Sequence, residues 1–390
     1  MDIDQLLSRG VAEVIVEAEL RAKLVSGKKL RLKMGFDPSS PNLHIGHAVG
    51  LRKLHQFQQL GHTVVLIVGD WTAQVGDPSG RDQSRQMLTA EQVRANAETY
   101  MQQFFHIVDK EQTEVRWQSE WFGSFTLADV FNLTSRFTMQ QMLAHETFRK
   151  RFESESPLTM MELMYPLLQA YDSVAINADV EFGGTDQKFN ILAGRELMRD
   201  MGLEPQQVLL TPLLMGTDGR KMSKSFNNTV DLTTPPNDAY GRIMAMSDDM
   251  ILTFFENVTD VSMSELVEMQ AALGQGANPR DLKMRLAREI ITQFHDADAA
   301  RAAEADFITR FQKREVPDQM PEYQLSTPTT IVDLLADAGL VSSKSEARRL
   351  IDGGGVRLDG EKVEAQDTRI EPGNARIVQV GKRKFVRVVS

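Results

Sequence analysis

Two stretches of the 390-residue chain carry side chains suited to holding phosphate. The first is "HIGH", where His44, Gly46 and His47 follow the turn-rich segment "GFDPSSPNL". Imidazoles donate to phosphate oxygens without the bulk of arginine, and a glycine beside them lets backbone and ligand approach closely. The second is "GTDGRKMSKSFNN", residues 216–228, in which Lys221 and Lys224 lie three apart among glycine, serine and asparagine. Gly216 and Gly219 are read as making this a mobile loop, and a mobile pair of cations can close over an anion after it has entered. A third constellation is "YPLLQAYDSV", residues 165–174. Tyr165, Gln169 and Asp172 are spaced four and three apart, which on a helix puts all three on one face, while Leu167, Leu168 and Ala170 point elsewhere.

These groups need elements to position them. Buried-strand signals occur at "LRLKMGF" (30–36) and "HTVVLIVGD" (62–70), with weaker ones at "EVRWQ" near 114 and "VLLTPLLM" near 208. Between the first two strands, Val49, Leu51, Leu54, Phe57 and Leu60 recur at helical spacing, so strand, helix and strand succeed one another as in a parallel βαβ unit. The expected fold is α/β, a Rossmann-like doubly wound parallel sheet over residues 1–230. In such sheets ligands sit beyond the carboxyl ends of the strands, and a helix N-terminus there offers free N–H groups to an anion. A helical domain is expected over 231–318, then a proline-bearing linker over 319–327 and a small α+β domain over 328–390.

"HIGH" and "KMSKS", about 175 residues apart and in that order, resemble the signature of the class I aminoacyl-tRNA synthetases. With "GDPSG" at 76–80, "GGTDQKFN" at 183–190 and the helix bearing Asp172, the resemblance over essentially the whole chain is to the bacterial tyrosyl-tRNA synthetases. It implies ATP-dependent activation of L-tyrosine to tyrosyl-AMP, with Mg2+ sharing the pyrophosphate charge, and then transfer to the 3′-terminal adenosine of tRNA(Tyr). Carried over by position, His44, His47, Lys221 and Lys224 are the catalytic group. Asp37, Gly46, Asp186, Met222 and Lys224 meet ATP, and Asp172 accepts the phenolic hydroxyl. Asp77, Tyr165 and Gln169 hold the α-ammonium, with Gln187 beside the tyrosine. A homodimer is implied too, and the Met-rich "TSRFTMQQMLAHETF", 134–148, is a candidate surface for it. Two positions depart from the family pattern. Lys33 stands where many members have a tyrosine, leaving the second partner of the substrate hydroxyl unassigned, and Met34 stands where some have a cysteine near the ribose.

The C-terminal residues 328–390 hold eleven Lys and Arg against nine Asp and Glu, a balance of +2 where the remainder of the chain carries −12. "SKSEARRLIDGGGVRLDGEKV" and "RIVQVGKRKFVRVV" read as a helix, a glycine turn and short strands, resembling the S4 RNA-binding domain, with Lys344, Arg348 and Arg349 as the tRNA-binding candidates.

Composition bounds the remaining possibilities. The net charge of −10 argues against a surface coated in basic patches, and 42% hydrophobic residues suffice for a sizeable core. Without cysteine there is neither a disulfide nor a thiolate zinc site, and the seven histidines show no metal-ligand spacing, so no protein-bound zinc is expected. The longest apolar run in the first half is "VVLIV", and the opening "MDIDQLLSRG" lacks an export pattern, so neither a membrane nor a location outside the cytoplasm is expected. Two alternatives stay open at this level: a class I synthetase for another aromatic amino acid, and a non-catalytic RNA-binding relative.

Overall fold

The computed structural model describes residues 2–39, 41–79, 88–220, 222, 226, 228–311, 320–373, 375–381 and 384–389. The chain divides into two compact units, residues 1–307 and 308–390.

Six strands build the sheet of the first unit: β1 (Glu13–Ile15), β2 (Arg31–Phe36), β3 (Thr63–Val68), β4 (Thr113–Trp117), β5 (Val180–Gly184) and β6 (Gln207–Thr211). Their spatial order is β1-β6-β5-β2-β3-β4. Five run parallel, and β1 closes one edge antiparallel to β6. β3 reads "TVVLIV" and β6 "QVLLT" because a strand covered by helices on both faces has no solvent side on which to place polar residues. From β2 the chain winds to one side through β3 and β4, then returns to β5 and β6 on the other. The point of reversal therefore lies between β2 and β5, where doubly wound sheets open a crevice.

Three helices matter for that crevice: α1 (Ile45–Gln58), α2 (Met160–Ile176) and α3 (Lys188–Asp200). α1 buries Val49, Leu51, Leu54 and Phe57 as their spacing requires. Leu60, expected on the same stripe, falls beyond the end of the helix and is exposed, because the chain leaves helical geometry at the Gly61 turn, where φ is +90°. α2 starts with Thr159 accepting from the Glu162 N–H and Glu162 reaching back, a capping box that satisfies two otherwise unpaired donors. α2 packs on α3 through Leu163, Leu167, Ala170, Ala193 and Leu197. Pairing α2 against the sheet fixes which of its faces looks into the crevice.

Residues 236–307 continue the unit as a run of helices, among them Pro279–Phe294. Arg9 clips this run to the sheet layer, donating to the Glu256 carbonyl at 3.1 Å and the Thr259 carbonyl at 2.8 Å.

In the second unit, helices α4 (Ile331–Asp337) and α5 (Lys344–Asp352) accompany β7 (Glu322–Gln324), β8 (Thr329–Thr330), β9 (Val356–Leu358), β10 (Glu361–Lys362), β11 (Arg369–Ile370), β12 (Arg376–Val380) and β13 (Lys384–Val389). Five strands form a sheet in the order β10-β9-β12-β13-β7, and β11 pairs with β8. β7 lies inside the stretch read as a linker and pairs in parallel with β13, while α4 is an element that the sequence reading did not separate. Leu334, Leu335, Ala347, Ile351, Val356 and Val378 form a core of its own. Among the described residues of the chain, no helix is long and apolar enough to cross a membrane.

Candidate active site

A cleft of about 350 Å³ opens beyond the carboxyl ends of the parallel strands. Four of the strands deliver a polar residue to it within a few positions of their ends: Asp37 after β2, Thr72 after β3, Gln118 after β4, Asp186 and Gln187 after β5. α1 presents His44, Gly46 and His47, and α2 presents Tyr165, Gln169 and Asp172. Asp77 and Met222 complete the expected set on the same walls. One cavity thus gathers eleven of the residues read from sequence, drawn from positions 37 to 222.

At one end Asp172 is buried, with both carboxylate oxygens aimed at fixed donors. Gln118 Nε2 donates to Oδ2 at 2.8 Å and Trp121 Nε1 donates to Oδ1 at 3.1 Å. Burial pushes its carboxyl up to about 7, opposed by the nearby Lys33 ammonium and those two donors and aided by Glu181. Behind it Lys33 and Glu181 form a buried ion pair at 2.9 Å. Lys33 also donates to the Gln169 carbonyl at 2.8 Å and to Ser173 Oγ at 2.7 Å. Glu181 accepts from Gln169 Nε2 at 3.1 Å, from Ser173 Oγ at 3.1 Å and from Gln206 Nε2. Gly194 on α3 is needed here, since a Cβ would fall 2.9 Å from Gln206 Nε2 and 3.0 Å from Ser173 Oγ.

A second chain of hydrogen bonds runs along the wall. Gln118 Oε1 accepts from the backbone N–H of Thr72 at 2.9 Å and from Thr72 Oγ1 at 3.0 Å, and Thr72 Oγ1 also lies 2.7 Å from Asp37 Oδ1. The Tyr165 hydroxyl donates to Asp37 Oδ2 at 2.8 Å. Burial and the surrounding carboxylates hold the Tyr165 phenol well above its ordinary range, so it stays a donor. Asp77 accepts from the Ser79 N–H at 2.8 Å and from Gln187 Nε2 at 2.7 Å, and burial raises its carboxyl. His145 backs this pair 3.4 Å from Ser79 Oγ, stacked on Phe148, with its pKa lowered by burial.

At the other end His44 is the N-cap of α1 and His47 its third residue, with ring centroids 3.8 Å apart. The His44 N–H donates to His47 Nδ1 at 3.2 Å, which leaves the proton of a neutral His47 on Nε2. Gly46 was read as room for a ligand. A Cβ there would lie 2.9 Å from His44 Nδ1 and 3.3 Å from Met222 Sδ, so the packing of the chain itself already calls for glycine. Lys221 and Lys224 lie outside the described residues. The loop that leads to them is a closed turn rather than a slack one: Gly219 has φ of +79° and donates to the Gly216 carbonyl at 2.9 Å, and Asp218 accepts from Asn228 Nδ2 at 2.7 Å. Gly216 has no room for a side chain beside Asn228, so close packing and not freedom alone explains it.

Lys344, Arg348 and Arg349 share α5 of the second unit, where all three are exposed. Lys344 is paired with Asp333 at 2.7 Å. Among the described residues no cluster of three or more His, Asp or Glu is arranged to hold a metal ion.

The sequence reading missed Gln118, Trp121, Thr72, Ser173, Glu181 and His145. A glutamine between two tryptophans at a strand end, "WQSEW", was the available signal for the first two.

The architecture has known counterparts. Over 79% of this chain and 94% of the other, it superposes on a C-terminally truncated mitochondrial tyrosyl-tRNA synthetase of Aspergillus nidulans with a TM-score of 0.67 at 22% identity. Over 78% of this chain and 100% of the other, it superposes on the tyrosyl-tRNA synthetase of Archaeoglobus fulgidus complexed with L-tyrosine, with a TM-score of 0.62 at 23% identity; these two likenesses speak to fold. Sequence relatives are nearer. Tyrosine–tRNA ligase of Dehalococcoides mccartyi (strain CBDB1) is 53% identical over 99% of this chain and 98% of its own, and that of Thermotoga maritima is 48% identical over 98% and 96%. Residues 26–312 match the family model for class I tRNA synthetases (W and Y), and residues 312–388 match that for the tyrosine–tRNA ligase SYY-like C-terminal domain. With both segments matched and near-complete coverage of these relatives, the chain belongs to the tyrosine–tRNA ligase family of class I aminoacyl-tRNA synthetases.

Proposed function

We propose that this chain activates L-tyrosine with ATP, forming tyrosyl-AMP and pyrophosphate, and then esterifies the 3′-terminal adenosine of tRNA(Tyr). The observation that carries the substrate is Asp172. Its two oxygens are held as acceptors by N–H groups of Gln118 and Trp121, so a ligand reaching this end of the cleft must bring a hydroxyl or N–H donor. A phenol does so, and phenylalanine leaves the carboxylate without that partner.

Attack by the substrate carboxylate on the α-phosphate needs no general base, because the nucleophile is already ionised at neutral pH. What remains is alignment and cancellation of charge on the departing pyrophosphate. Asp77, Tyr165 and Gln169 hold the α-ammonium, and the Asp77 and Gln187 contact keeps that corner shaped. Asp186 meets the ribose, Asp37 lies beside the nucleotide and Met222 packs against the Gly46 turn. His44 and His47, at the N-terminus of α1, donate to phosphate oxygens beside the positive end of the helix dipole. Lys221 and Lys224 close on the leaving group, and Mg2+ brought in with ATP supplies further charge neutralisation.

Residues 328–390 grip the tRNA through Lys344, Arg348 and Arg349, and the helical segment 231–318 approaches the anticodon. The active form is a cytoplasmic homodimer. Leu127, Phe131, Phe152 and Met160 support the dimer, being 62–71% exposed on neighbouring helical segments. Within the Met-rich stretch, Met139 is exposed and Met142 is buried core.

ATP–pyrophosphate exchange with each aromatic amino acid, on the wild type and on Asp172→Ala, tests the substrate directly. Exchange driven by tyrosine and lost in the variant is the expected result. Exchange driven by tryptophan would keep the ligase and discard the substrate.

A further inference from the structure

The family pattern leaves the second partner of the substrate hydroxyl unassigned, because position 33 is lysine here. Lys33 cannot fill that role as it stands. An ammonium has three protons, and its three contacts, Gln169 O, Ser173 Oγ and Glu181 Oε1, use all of them. Trp121 has a single N–H, and Asp172 takes it.

Gln118 is different. Its orientation is fixed, because Oε1 accepts from the backbone N–H groups of Trp71 at 3.2 Å and Thr72 at 2.9 Å; a flipped amide would set N–H against N–H. The NH2 group must therefore face Asp172, to which it gives one proton at 2.8 Å. Among the described residues no second acceptor for that group is recorded, and Gln118 lines the cleft. A hydroxyl bonded to Asp172 Oδ2 sits within reach of the same Nε2.

We infer that Gln118 is the specificity-determining second partner of the substrate hydroxyl: the hydroxyl donates to Asp172 and accepts the remaining proton of Gln118 Nε2. This rests on tyrosine being the substrate. The geometry replaces a phenol from strand β2 with an amide from the end of β4, and turns position 33 into part of the support behind Asp172.

The test is exchange kinetics of the full-length protein with tyrosine and with phenylalanine. Gln118→Met lowers kcat/KM for tyrosine roughly 10-fold, as loss of one such hydrogen bond implies, and leaves phenylalanine within about two-fold, so the discrimination narrows. Gln118→Glu keeps the acceptor that holds Trp71 and Thr72 and serves if the methionine variant does not fold; it lowers tyrosine and spares phenylalanine in the same way. Parallel losses for both substrates, or an unchanged ratio, would overturn the assignment while leaving the tyrosine reading intact. A wild type that exchanges with another aromatic amino acid and not with tyrosine would overturn both.

Discussion

Lys33 and Glu181 meet at 2.9 Å with both side chains essentially inaccessible to solvent, one on β2 and the other on its neighbour β5. Every remaining donor and acceptor of the pair is met by Gln169, Ser173 and Gln206, so desolvation of the two charges is offset by a complete set of partners. Removing only one charge strands the other. Lys33→Met is expected to destabilise the first unit by about 3–5 kcal/mol, whereas Lys33→Met combined with Glu181→Met recovers most of the loss. Denaturant unfolding followed by tryptophan fluorescence reads this unit alone, since Trp71, Trp117 and Trp121 all belong to it. A double-variant loss equal to the sum of the losses of Lys33→Met and Glu181→Met alone would show that the pair acts as two independent residues.

The pH dependence of tyrosine use follows from Asp172. Its carboxyl is raised to about 7 chiefly by burial, and the ionised form is the one whose oxygens are all acceptors. kcat/KM for tyrosine should therefore fall as pH drops through about 7, approaching ten-fold per unit, and Asp172→Asn should lose both the activity and this limb. Stability moves the other way. A carboxyl raised in the folded state favours folding below its unfolded value, and that contribution is lost as pH climbs from about 4 to about 7. A flat acid limb in the wild type would mean that Asp172 is already ionised in the free enzyme well below pH 7.

Local patterns made much of this site legible. The 4–3 spacing on α2, the turn before α1 and the buried β3 are short-range signals, and the structure brings their residues to one cleft. What sequence could not supply were partnerships across long separations. Lys33 reads as an oddity in a strand until Glu181, 148 positions away, is seen beside it, and Gln118 gains meaning only when β4 sets it against Asp172. β7 was missed for the same reason. Three residues with no apolar alternation become a strand because β13 offers them an edge.

The leaving-group role proposed for Lys224 predicts an effect separable from substrate binding. Lys224→Ala is expected to slow exchange roughly 10²-fold, the usual cost of losing one preorganised donor to developing charge. Its affinity for tyrosine without ATP should be unchanged by calorimetry, because Tyr165, Gln169 and Asp172 are positioned by α2, and Asp77 by Ser79 and Gln187, rather than by the loop. A large loss of tyrosine affinity would place the lysine in a different role.

On α5 the three candidate RNA contacts are not equivalent. Lys344 already holds Asp333 at 2.7 Å, which raises its pKa and commits part of its charge, whereas Arg348 and Arg349 project from an exposed face. Contacts to phosphate release counterions, so each one lost should lower the slope of log affinity against log salt by about 1. Arg348→Ala with Arg349→Ala is expected to weaken tRNA binding and flatten that slope by about 2, while Lys344→Ala changes it by less than 1. Anisotropy titrations of labelled tRNA across a salt series measure both quantities, and tyrosine activation in the absence of tRNA should be unaffected by either change. Identical slopes for the double variant and the wild type would move the phosphate contacts off this helix.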